Sequence, residues 1–193
     1  MKHLLFIIIT LFILSDFNFD FNLIKYKLPE GNLKWSTKKP INAKMCIPAA
    51  FTDVDGKILG SYKLNGKSYQ NNSRKKISLI KNSFIINNKW QSSNGFQQIC
   101  LVNNKIPAKF KDSRRCKRRA LCKMQSETFI LESVFPITMT KFAKLCSQKC
   151  DYAVYLDMGE YGYGYIKNNN KINHLHPLSY FTKNKQTNWI YIE

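Results

Sequence analysis

Short apolar runs separated by turn chemistry recur along most of this chain, and a single stretch carries helical spacing instead. Met45–Phe51 is apolar, with Pro48 confining it to a sheet edge or a strand end. Asp53-Val-Asp-Gly56 reads as a turn, followed by a strand over Ile58–Leu64 and a second turn at Asn65-Gly66, a strong hairpin signal. Ser83–Trp90 repeats the pattern around Asn87-Asn88, and residues 103–115 are polar and basic, a surface loop. Arg119–Met124 and Thr128–Val134 flank Gln125-Ser-Glu127 as a further hairpin; Ala153–Met158, Tyr163–Lys167 and Asn188–Ile192 are later strands. Against these, Met139, Phe142, Ala143, Cys146 and Cys150 recur on one helical face and predict a helix over about 138–150 that packs on a sheet. A chain so punctuated cannot be a helical bundle. It predicts one α+β (mixed α/β) domain: a strand-rich mixed sheet with hairpins and one or two packed helices.

The N-terminus follows a different logic. Met1-Lys2-His3 precedes the run Leu4–Leu14, eleven residues broken only by Thr10, which matches a secretory signal and is short for a membrane span. Ser15–Asp20 offers no small-x-small cleavage site, so an uncleaved N-terminal anchor is the main variant. Residues 1–20 are therefore read as signal or anchor, 21–43 as an aperiodic lead-in, and 44–193 as the domain. The protein is expected to be exported: periplasmic, in the cell envelope, or secreted.

The 193 residues include 31 Lys plus Arg against 12 acids, a formal charge of +19, while 44% are hydrophobic, which excludes global disorder. Such a charge speaks about partners rather than fold and favours nucleic acid, anionic lipid or phosphate-bearing glycan. Only five of the basic residues are Arg, and four of them (Arg114, Arg115, Arg118 and Arg119) fall within six positions. Six cysteines suit an exported chain, yet Cys46 and Cys122 lie in apolar stretches where Cys acts as a small buried hydrophobe. Cys116, Cys122, Cys146 and Cys150 are spaced more widely than the usual zinc hook. No metal and no cofactor follow from the sequence.

Asp157 is the strongest candidate for chemistry. It closes an apolar strand and enters a turn containing Gly159, Gly162 and Gly164, where a backbone can approach a ligand closely. A carboxylate there can act as general base, nucleophile or anchor for sugar hydroxyls, and Glu160 would supply a second acid. On an extended strand Arg118 and Arg119 point to opposite faces, so one can reach a pocket while the other faces solvent. A guanidinium binds phosphate in bidentate fashion. His174 and His176 share a face if their segment is extended, and Tyr161, Tyr163 and Tyr165 alternate as a stacking platform or a half-buried strand face. The chain contains no G-x-S-x-G, H-E-x-x-H or Walker loop.

Taken in order, these motifs resemble the phosphodiester glycosidase family, whose best-known member uncovers mannose 6-phosphate by removing N-acetylglucosamine from a phosphodiester. The match is nearest to short exported members of the Bacteroidetes type. The family's Asn-Ala-Gly-Phe-Phe and its following hairpin correspond to Pro48-Ala-Ala-Phe-Thr52, Asp55-Gly56, Gly60 and Asn65-Gly-Lys67. Arg-Thr-Ala-Ile-Gly corresponds to Arg118-Arg-Ala-Leu-Cys122, and Leu-Asp-Gly-Gly-Gly-Ser to Leu156-Asp-Met-Gly-Glu-Tyr161. Gln186-Thr-Asn-Trp-Ile190 resembles the end of the short members. The resemblance runs from about residue 45 to the C-terminus. Pro48 replaces the family Asn, and Met158-Gly159-Glu160 replaces the triple glycine.

The resemblance implies an exported hydrolase that frees a sugar from an anomeric phosphodiester. Arg118 and Asp157, with Glu160, are the implied catalytic residues. Thr52 and Asn188 are further positions that it implies as substrate contacts, and Arg119, Gly159 and His176, read from the residues themselves, complete the expected substrate-binding set. The alternative is an inactive relative that binds anionic glycans or other polyanions. Expected partners are an anionic glycan or sugar phosphodiester, with association at a membrane surface as a further option and no specific nucleic acid.

Overall fold

The computed structural model describes residues 22–53, 55–71, 94–158, 162–168, 171–177 and 186–193. Strands are numbered along the chain within these residues. The largest sheet has six, in the order β1 (Leu23–Lys27), β10 (Glu127–Ser133), β9 (Arg119–Met124), β11 (Tyr152–Leu156), β7 (Cys100–Asn103) and β8 (Ile106–Pro107). A second sheet runs β13 (Lys171–Leu175), β12 (Gly164–Asn168), β3 (Met45–Pro48), β14 (Trp189–Ile192) and β2 (Lys34–Ser36). A small third sheet is β5 (Lys67–Asn71), β4 (Gly60–Leu64) and β6 (Gly95–Phe96). One α-helix, α1 (Met139–Ser147), lies among the described residues.

The molecule is thus strand-rich with a packed helix, but its strands form three sheets, and every pairing among the described residues is antiparallel rather than mixed. The reason lies in the connections. Neighbouring parallel strands need a long crossover, whereas the hairpin pairs β4–β5, β7–β8 and β9–β10 are joined by tight turns that make them antiparallel. Among the described residues the helical crossover from β10 through α1 to β11 passes over β9, which runs against both.

The segment read as a lead-in contributes two strands. Leu23 to Lys27 pair with Ser133 to Phe129, and β2 pairs with β14. These strands are too short to show periodicity, and pairing covers sheet edges that would otherwise present unpaired amides. The hairpin turn at Asn65-Gly66 is present, with φ of 50° and 78°. The Asn87-Asn88 turn lies outside the described residues.

Both faces of the large sheet are covered. Leu121, Ile130 and Leu156 face the second sheet and pack with Met45, Ile47, Ile166, Leu175, Ile190 and Ile192. The opposite face, with Ala120, Cys122, Phe129, Leu131, Ala153 and Tyr155, packs on Met139, Phe142, Ala143 and Cys146 of α1. This three-layer burial explains why β11 reads as a continuous apolar run. The expected 138–150 helix is shorter at its C-terminus: Thr138 caps it by accepting from the Lys141 amide, and Cys150 lies beyond it with its Sγ donating to the Cys146 carbonyl.

Candidate functional site

Strand ends from both large sheets meet along one rim. In the first sheet β9 begins at Arg119, directly opposite Glu132 near the end of β10 and Leu156 at the end of β11. In the second, β3 ends at Pro48 opposite Trp189, while β12 begins at Gly164 opposite Leu175. A side chain at Gly164 would stand 3.0 Å from the Cys46 carbonyl, so glycine permits the close approach of β12 to β3. The Asp157 amide donates to the Ala49 carbonyl at 3.0 Å and joins the two sheets there.

Arg118 and Arg119 do face opposite ways. Arg118 lies on the helix side, 4% exposed, with Nε donating to the Ile137 carbonyl and Nη2 to the Arg114 carbonyl at 2.8 Å. Its Nη2 is also 3.7 Å from an Asp112 oxygen, and its guanidinium carbon lies 5.8 Å from the centre of the Tyr155 ring. Burial pushes the Tyr155 phenol up to about 12; Arg118 acts against that shift, while Cys116 and Asp157 add to it. Tyr155 is therefore a neutral phenol at ordinary pH; it lies beneath Arg118, and Asp157 follows it two residues later, just past the end of β11. Asp157 is itself buried.

Arg119 does not meet solvent. It is fully buried between the sheets, with Nε and Nη2 both 2.5 Å from one Glu132 oxygen and Nη1 donating to the Gly162 carbonyl at 2.8 Å. The Nη2 contact is ionic rather than a well-directed hydrogen bond. Burial and then Glu132 raise the Tyr26 phenol to about 12, with Arg119 opposing. His176 belongs to the same cluster. Its pKa is lowered by burial first and by Arg119 and Lys117, with Glu132 acting the other way.

His174 and His176 do not share a face. The strand ends at Leu175, and His176 adopts φ of 50°, which breaks the alternation. His174 is exposed, with Nδ1 2.9 Å from the Tyr163 hydroxyl. Tyr165, paired across the hairpin with His174, donates its hydroxyl to the Ala43 carbonyl at 3.3 Å.

Asn188, expected as a substrate contact, is buried and acts as a clasp. Its Oδ1 accepts from the Ala50 amide at 2.7 Å and from Trp35 Nε1, while its Nδ2 donates to the Ala50 carbonyl. These bonds fix the chain leaving β3 against the start of β14. Thr52 lies further along that segment, half-buried and bridged to Ile58. Gly159, Glu160 and Tyr161 lie outside the described residues.

The rim therefore holds two groupings: Arg118, Tyr155, Cys116 and Asp157 on the helix side, and Arg119, Glu132, Tyr26 and His176 between the sheets. Tyr155, Glu132 and Tyr26 were missed by the sequence analysis. Glu132 had a usable signal, as the one acid inside an apolar strand and directly across the hairpin from Arg119. All six cysteines are free thiols; Cys122, Cys146 and Cys150 adjoin one another in the helix-side core, and burial pushes the Cys122 thiol well up. Among the described residues no group of three His, Cys, Asp or Glu side chains is placed to hold a metal, and no helix is long and apolar enough to cross a membrane. No protein-family model matches the chain, and no curated protein is significantly similar to it.

Proposed function

We propose that the protein is a phosphodiester glycosidase-like hydrolase, exported from the cell, that cleaves a sugar from an anomeric phosphodiester. The observation that carries this reading is the placement of Arg118 over the neutral Tyr155 phenol on the helix side of the large sheet, with Asp157 two residues beyond Tyr155 where that strand reaches the seam. A phosphomonoester is a good leaving group and departs without strong general-acid help. Such a reaction asks for one carboxylate to attack the anomeric carbon or to activate water. It also asks for a cation and a neutral donor to meet the phosphate oxygens. Asp157 fills the first role, with Arg118 and Tyr155 in the others. Reaction in heavy-oxygen water tests the bond cleaved: label is expected in the released sugar. Label in the phosphate would make the enzyme a phosphodiesterase instead.

A second reading, a noncatalytic binder of anionic glycans, is favoured by one observation. Two donors of Arg118 are already committed to the Ile137 and Arg114 carbonyls. That reading expects salt-sensitive binding of anionic glycan with no sugar released from any phosphodiester.

A further inference from the structure

Beyond β9 and β10 the hairpin ladder continues as paired coil. The Ser133 amide donates to the Arg118 carbonyl at 2.9 Å, Cys116 and Ile137 exchange backbone bonds, and Arg115 Nε donates to the Pro136 carbonyl. On the other side, the Val134 amide donates to the Asn22 carbonyl at 2.9 Å. Arg115, Lys117, Phe135, Pro136 and Asn22 are thus neighbours on the rim that carries Arg118.

Three features of this place converge. First, Lys109, Lys111, Arg114, Arg115 and Lys117 are all exposed, and none of them enters an ion pair among the described residues. The acid within the segment, Asp112, faces buried Arg118, whereas Lys25, Lys34 and Lys105 elsewhere each have a carboxylate partner. The segment is also held in shape, because Thr140 Oγ1 accepts from the Phe110 amide and donates to its carbonyl. Second, Phe135 stands 60% exposed beside these cations. Third, the chain reaches this rim at Asn22 directly after the sequence that contains the apolar run Leu4–Leu14.

From this juxtaposition we infer that the rim formed by residues 109–117 and Phe135 docks on an anionic lipid surface. The cations meet headgroup phosphates and Phe135 enters the headgroup boundary. A basic cluster next to an apolar segment is the pattern that anionic membranes attract, and an aromatic ring suits the interface. A soluble polyanion would use the cations but leave Phe135 idle. On the hydrolase reading, which this extension assumes, the phosphodiester is presented at headgroup level; the docking itself does not depend on turnover.

The test uses the full chain carrying Phe135→Trp and vesicles with brominated acyl chains. On phosphatidylcholine vesicles containing phosphatidylglycerol, the introduced indole should be quenched beyond the wild-type signal, and on phosphatidylcholine alone it should not. R114Q/R115Q/K117Q should weaken this interaction on the order of 100-fold, from roughly fivefold per cation. K27Q/K44Q/K67Q, with the same loss of charge at exposed sites elsewhere, should retain it. Absence of extra quenching on the anionic vesicles would overturn the proposal. So would equal quenching on neutral vesicles, or equal loss in the two charge variants. Stoichiometric displacement from vesicles by soluble polyphosphate would overturn it in favour of a polyanion site. Near-ultraviolet circular dichroism confirms that each variant is folded.

Discussion

Glu132 and Arg119 show how one residue pair shapes the rim. Arg119 is completely buried and Glu132 nearly so, and the same guanidinium holds the Gly162 carbonyl in the loop that follows Asp157. Removing one partner of such a pair leaves a desolvated charge behind, so Glu132→Gln should lower unfolding free energy by about 3–5 kcal/mol, read from urea denaturation. A change below about 1 kcal/mol would mean that the pair is compensated by its surroundings. His176 supplies a pH effect. Its pKa is lower in the folded protein than in the unfolded chain, so the unfolded state binds more protons as pH falls past the ordinary histidine value. Its contribution is intact above that value and is lost on acidification towards the folded pKa. Comparing urea midpoints at neutral and mildly acidic pH, His176→Gln should show a smaller acid-side drop than wild type; an equal drop would remove His176 from the account. At this scale the opposed directions of Arg118 and Arg119 were legible, because strand alternation dictates them. That Arg119 is buried was not, since its partner comes from another strand and its carbonyl from the loop before β12.

Local elements were legible where backbone chemistry is local. Asn65-Gly66, the 119–133 hairpin and the α1 face are written in adjacent residues. The turn at Asn104-Lys105 was missed because Lys at φ of 64° is an unusual left-handed residue, although it turns β7 into β8. The strands β1, β2 and β13 were missed because each is short and takes its identity from a partner: Ile24 and Ile172, for instance, remain exposed. The double histidine failed on one dihedral angle, at His176. For α1, Thr138 supplies the cap by accepting from the Lys141 amide at 3.2 Å. Thr138→Ala should cost about 1 kcal/mol of stability, and an unchanged thermal midpoint would show that the helix is held by packing alone.

For the whole molecule, composition and punctuation carried the strand-rich class and the buried helix. The division into three antiparallel sheets depends on long-range pairings such as β1 with β10 and β14 with β3, which no local pattern encodes. The seam between the two large sheets is what turns separate strand ends into a site. It brings the Asp157 amide to Ala49, and Asn188 locks that same segment from the far end of the chain. On the proposed docking, the basic rim beside it gives part of the +19 charge a place to act. The most direct test is turnover of a panel of sugar-1-phosphodiesters by wild type beside Asp157→Asn, with folding checked by circular dichroism. Release of free sugar by wild type, with kcat in the variant lower by on the order of 100-fold or more, is the expected result. A folded wild type that releases no sugar from any member of the panel, or a variant that is as fast as wild type, would contradict the account.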